Sequence, residues 1–98
     1  MSNVRVRVPQ IRSIQTALTL YYTKSELSNQ DIVELFDGKL SSATVARLKQ
    51  RAREQMISDG VQAWNSQCVN VKAAYTAWGL SVNDLEERFA KLKELNLL

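Results

Sequence analysis

Between Val45 and Met56 the chain reads VARLKQRAREQM, in which Arg47, Lys49, Gln50, Arg51 and Arg53 are long side chains that donate hydrogen bonds. Guanidinium and ammonium groups at this density suit an anionic surface. They pair with phosphate oxygens, and an arginine fork or a glutamine amide can also read the edge of a nucleobase. No acid interrupts the basic run until Glu54. A helix face that only meets water normally mixes both signs, because opposite charges four residues apart stabilise it. The plain solvated-face reading therefore fits this asymmetry less well than a binding face does.

Such side chains need a helix to carry them and a second helix to orient it, and the stretch from Ser28 to Met56 supplies both. Ser28 is placed to cap a first helix, with Asp31 three residues on able to bond back to the free amides of the first turn. Ile32, Leu35 and Phe36 form its apolar face. Gly38 then gives the backbone freedom to end that helix, and Ser41 or Ser42 offers a hydroxyl to start the next. The second helix buries Val45, Leu48, Ala52 and Met56 at spacings of three and four, which turns Arg47, Lys49, Gln50 and Arg51 wholly or partly outward.

With those residues in place, the segment from Ser28 to Arg53 resembles the helix-turn-helix superfamily of DNA-binding proteins, many of them bacterial or phage regulators. Ile32 and Phe36 match the apolar pair of the first helix; Leu40, Val45 and Leu48 match the residue closing the turn and the inward residues of the recognition helix. Phe36 and Leu40 lie four apart where the tightest form of the motif has two, and Val33 stands where that form prefers a small residue. A looser three-helix or winged relative fits better. The resemblance implies duplex DNA as partner, with the start of the second helix in the major groove. Ser42, Ala43, Ala46, Arg47 and Gln50 would face base edges, Arg47 suited to guanine and Gln50 to adenine. Lys39, Ser41, Lys49, Arg51 and Arg53 would hold phosphates.

The charge distribution agrees with that placement. A formal net charge of +3 permits a nucleic-acid partner without demanding one. Arg5, Arg7, Arg12 and Lys24 lead the chain with no acid before Glu26, whereas the part beyond Gly60 balances four bases against four acids. The opening VRVRV is either a strand, with Arg5 and Arg7 on one face, or a flexible basic arm along the DNA backbone or minor groove. Pro9 is well placed to begin a support helix reaching about Tyr22, with Ile11, Ile14 and Leu18 at helical spacing. Asp59-Gly60 should end the recognition helix. Val61, Ala63 and Val69 then alternate with polar residues, as a short wing strand paired with VRVRV or as an irregular loop.

Further on, Asn70 can cap a short helix, VKAAYTAW, that Gly79 stops; Asn83 with Glu86 reads as the capping box of a last helix. This pair also resembles a helix-turn-helix in outline. Its final helix carries Asp84, Glu86, Glu87 and Glu94, acids that phosphates would repel, so a hairpin completing the core or forming a dimer is the stronger reading. Leu85, Phe89 and Leu92 are its candidate dimer residues. Trp64 and Trp78 read as core fillers rather than a stacking platform, since neither lies among closely spaced basic residues. Of Tyr21 and Tyr22, one should pack and one should show its hydroxyl.

Catalysis finds little support. The chain has no histidine, one cysteine and three glycines, so a zinc site, a general-base imidazole and a phosphate-binding glycine loop all lack their parts. Cys68 reads as a small core thiol in a reducing cytoplasm, and neither a signal peptide nor an apolar run of membrane-spanning length is evident.

The expectation is a mainly α, single-domain protein over residues 1–98. It has a three-helix helix-turn-helix core at 9–58, a short β wing at 61–69 and a C-terminal helical hairpin at 70–98. Its expected role is sequence-specific binding of double-stranded DNA as a transcriptional or recombination regulator, as a homodimer, with no cofactor, metal, small-molecule ligand or membrane. The alternative is a helical interaction or assembly module, of small phage assembly or anti-repressor type, that binds no DNA.

Overall fold

The computed structural model describes residues 9–36 and 39–97. Local capping chemistry sets most element boundaries. Helix α1 (Ile14–Thr23) starts where the Ser13 hydroxyl accepts the Thr16 amide at 3.0 Å. Residues just ahead of it are extended, contrary to the helix start expected at Pro9. Ile11 forms an antiparallel bridge with Phe36, and the Arg12 amide donates to the Leu35 carbonyl at 2.8 Å. A backbone committed to that pairing cannot also close helical turns, so the serine cap, not the proline, begins the helix.

Strand β1 (Glu26–Leu27) follows, then α2 (Asn29–Leu35) behind the expected capping box. Asp31 accepts the Ser28 amide at 2.9 Å, and Ser28 accepts the Asp31 amide at 3.2 Å. Helix α3 (Ser42–Asp59) is capped by Ser41 and ends at Gly60, whose φ of 71° lets the Val61 amide fold back to the Met56 carbonyl at 2.9 Å. A side chain there would strain that left-handed backbone. Strand β2 (Val69–Asn70) runs straight into α4 (Val71–Ala77), with Asn70 serving as both strand residue and cap. Helix α5 (Val82–Glu94) completes the order. Its cap is Ser81, which accepts the Asp84 amide at 3.2 Å, so the Asn83–Glu86 pair lies inside the helix. The chain turns at the left-handed Gly79, and the Ser81 hydroxyl is the first side chain to cap the next helix, two residues before the expected cap.

The protein is thus mainly helical with a short β element, as the pattern indicates. The expected pairing with VRVRV falls on residues 1–8, outside the described residues; the ladder that is described joins two other segments. β2 pairs antiparallel with β1, Leu27 opposite Val69 and Glu26 opposite Asn70. Leu27 and Val69 are both fully buried, so the two-residue ladder closes over the core. Residues 1–8, including Arg5 and Arg7, and the Asp37-Gly38 pair lie outside the described residues.

One apolar cluster runs through all five helices. α3 packs chiefly on α4, and α1 packs on both α2 and α5. The C-terminal hairpin is therefore part of the core that holds α3, not an appendage to a self-sufficient three-helix unit. Two buried hydrogen bonds tie it in. The Trp78 indole N–H donates to the Leu48 carbonyl at 2.9 Å, and the Tyr75 hydroxyl donates to the Ala17 carbonyl at 2.6 Å. Each gives a polar atom a partner where water is excluded, which both stabilises the packing and fixes its register.

Candidate nucleic-acid interface

The outer face of α3 is built from its first turns. Val45, Leu48, Ala52 and Met56 are buried as their spacing requires, which leaves Ser42, Ala43, Ala46, Arg47, Gln50 and Arg51 exposed. Lys39 and Ser41 are also exposed, just before the helix. The two alanines keep the backbone of this face open to close approach. Gln50 donates to Glu54 at 3.3 Å, one turn on, where the acid-free stretch ends. Arg47, Arg51 and Lys39 form no salt bridge among the described residues. Arg51 leans to the α4 side, beside Thr76 and Ala77.

On the other flank of α3, a groove of about 510 Å³ opens against α2, lined by Asn29, Val33, Leu40, Ala46, Gln50 and Arg53 among others. Its wall corrects one expectation. Lys49 is not an outward phosphate clamp: it is only 8% exposed, and its ammonium donates to Asn29 Oδ1 at 2.9 Å and to the Gln67 carbonyl at 2.7 Å. The four-carbon stem is buried with it, and the ammonium ties the start of α2 to a carbonyl of the loop after α3. Arg53, half-buried, behaves similarly, donating to the Ser66 carbonyl at 2.9 Å. Both side chains hold down the segment between α3 and β2. That segment, the expected wing at 61–69, is irregular up to Cys68. The Glu26 carboxylate accepts the amides of Trp64 (2.7 Å) and Asn65 (3.2 Å), and Asn65 Oδ1 accepts the Gln67 amide at 2.8 Å. Amides taken by side chains cannot extend a ladder.

Burial among neutral acceptors holds the Lys49 ammonium below the usual lysine range, and repulsion from Arg53 adds to the shift. The unfolded chain therefore binds the proton more tightly, and this group's contribution to stability rises as pH climbs from its lowered value toward 10.5. Wild type should gain stability relative to Lys49→Met over that range, read from urea midpoints of the two proteins at matched pH. The Tyr75 phenol, pushed up by burial, titrates in both and cancels in the difference. Parallel pH curves would show that Lys49 carries no such penalty.

The expected dimer stripe is also corrected in part. Leu85 is 6% exposed and belongs to the core, while Phe89 and Leu92 are half-buried and Leu95 and Leu97 are exposed. Phe89 packs on the core and, with Leu18, Thr19 and Tyr22, lines a second groove between α1 and α5. Leu85 was drawn inward because α5 docks on α1, a contact that the stripe alone could not distinguish from a partner's surface. Tyr21 packs against Tyr75, and Tyr22 shows its ring and donates to Glu86 at 2.6 Å, the division of roles expected of the pair. Trp78 is buried as a core residue should be; Trp64 is not.

Among the described residues, no group of three metal-ligand side chains is assembled, and no helix is long and apolar enough to cross a membrane. The chain matches no family model, no curated protein and no solved structure in the comparisons made with each.

Proposed function

We propose that this chain binds duplex DNA in a sequence-specific manner, as a transcriptional or recombination regulator of bacterial or phage type. The observation that carries the reading is the exposed opening of α3: Ser42, Ala43, Ala46, Arg47 and Gln50, flanked by Lys39 and Arg51, with no carboxylate on the helix before Glu54. An α-helix fits the major groove, where Arg47 can fork onto guanine and Gln50 can exchange its weak bond to Glu54 for the edge of adenine. Ala43 and Ala46 suit contact with a thymine methyl. Lys39, Ser41 and Arg51 are the phosphate partners, and Lys49 and Arg53 support the surface from behind. Fluorescence anisotropy with a random duplex pool, followed by selection and sequencing of the bound fraction, tests the reading. Saturable binding that weakens with salt and enriches one sequence is expected. Absence of duplex binding at low salt would leave the interaction-module alternative in its place.

A homodimer belongs to the same proposal, because two-fold symmetry would present two α3 helices to half-sites about one helical turn apart. With Leu85 in the core, the contact falls to Phe89, Leu92 and the exposed Leu95. Leu95→Asp, at a position 55% exposed, should convert a dimer into a folded monomer in sedimentation. A wild type that is monomeric at high micromolar concentration would remove the dimer and leave the DNA reading to a single half-site.

A further inference from the structure

The groove between α2 and α3, about 510 Å³, has the size at which proteins hold small molecules. It follows one face of α3 from Ser42 to Arg53, a length of about 16 Å at the helical rise. Its two ends differ in chemistry. Toward the start of α3 the walls are Val33, Leu40 and Ala46, all apolar, with Val33 38% exposed. Further along, Asn29, Lys49, Gln50 and Arg53 line it with hydrogen-bond donors. Among the described residues no carboxylate lines the groove; Glu54, which the Gln50 amide meets at 3.3 Å, stays outside it.

The donor end carries positive charge that nothing balances. Lys49 and Arg53 lie four apart on α3, a spacing at which like charges repel. Their bonds are to neutral oxygens, of Asn29 and Gln67 for Lys49 and of Ser66 for Arg53, and neither forms a salt bridge among the described residues. The buried Lys49 acts through its field, without touching a ligand. Arg53 is half-buried and spends only Nη2 on Ser66 among the described residues, and the Asn29 oxygen is taken by Lys49, which leaves the Asn29 amide N–H groups to donate. The α1–α5 groove, of about 480 Å³, offers the opposite field, since Glu86 lines it and no cation does. We propose that the α2–α3 groove binds a small amphipathic organic anion, its apolar ring or chain against Val33, Leu40 and Ala46 and its carboxylate, sulfonate or phosphate group toward Arg53 and the Asn29 amide. The site stands on its own geometry. On the DNA-binding reading its occupant shares Ala46 and Gln50 with the duplex, so that anion and duplex exclude each other.

The fluorescent dye 1-anilinonaphthalene-8-sulfonate is a probe of that chemistry. Titrated into the full chain, it should saturate at one dye per chain. Val33→Glu, which sets a carboxylate at the groove wall, should weaken binding about tenfold or more. Val33→Lys, similar in length and opposite in charge, should bind at least as tightly as wild type. Thr19→Glu, exposed in the α1–α5 groove, should leave the titration unchanged. Circular dichroism melts confirm that each variant is folded, and the opposed signs of the two Val33 variants separate a charge effect from a change of shape. Equal dye binding by both Val33 variants, loss of binding in Thr19→Glu, or no saturable binding by wild type would overturn the site. Labelled duplex added to the dye complex should displace the dye. A complex holding both would overturn the exclusion, whereas a duplex that does not bind at all removes the DNA-binding reading and leaves the site standing.

Discussion

Trp78→Ala is expected to remove about 3 to 5 kcal/mol of folding stability, the largest effect of any single truncation proposed for this chain. The ring is 3% exposed, lies 5.5 Å from the Phe36 ring and 6.5 Å from that of Tyr75, and, from the residue that caps the end of α4, bonds the Leu48 carbonyl of α3. Its removal opens a cavity at the packing that orients α3 and takes away a buried donor as well. In a small domain whose whole stability is of order 5–15 kcal/mol, this approaches unfolding. Urea denaturation measures it. Trp78→Phe should retain most of the apolar contact and lose the indole bond, at about 0.5 to 1.5 kcal/mol for the bond itself. A change within about 0.5 kcal/mol for Trp78→Ala would be surface behaviour, at odds with the packing described.

Arg47→Ala should weaken binding to the preferred duplex by about 1 to 3 kcal/mol and relax sequence preference at one position, with stability nearly unchanged. The side chain is exposed on the opening turns of α3 and forms no salt bridge among the described residues, so its removal disturbs little within the fold. Arg51→Ala, as a phosphate contact, should weaken all duplexes alike and lower the salt slope by about one. Lys49→Met and Arg53→Gln should behave differently from both. They release the loop carbonyls of Gln67 and Ser66, so their first effect is on the loop and on stability. Anisotropy across a salt series, with melts of the same variants, separates the classes. Equal loss of affinity from Arg47→Ala on specific and scrambled duplexes would turn Arg47 into a phosphate contact, and no loss on either would exclude it from the interface.

The contrast within this one helix shows how far a sequence can be read. Val45, Leu48, Ala52 and Met56 were legible as an inward stripe because helical periodicity is a local property, and so were Ser42, Ala43, Ala46, Arg47 and Gln50 as its outward complement. Lys49 was not legible, because it sits at the edge of that stripe. Whether an edge residue meets water depends on what lies beside the helix, here the start of α2 and a loop almost twenty residues away. Arg53 follows the same rule. Trp64 reverses it: a residue type that usually fills cores is held outside by Glu26, for which the sequence carried no signal beyond an acid at some distance.

By itself the sequence determined the features governed within a few residues. These are the Ser28–Asp31 capping box, the Ser41 and Asn70 caps, the stops at Gly60 and Gly79, the mainly helical class, and the uneven distribution of charge. Caps and left-handed stops are hydrogen-bond and steric requirements of a single turn, so neighbouring residues suffice to set them. Only the tertiary structure decided the pairing of Glu26–Leu27 with Val69–Asn70, the inward turn of Leu85, the start of α1 at Ser13, and the use of Lys49 and Arg53 as internal supports. Each of these is a choice among partners that are equally acceptable locally. It is made when distant segments compete for the same buried surface and the same unpaired amides and carbonyls, and that competition exists only once the chain has folded.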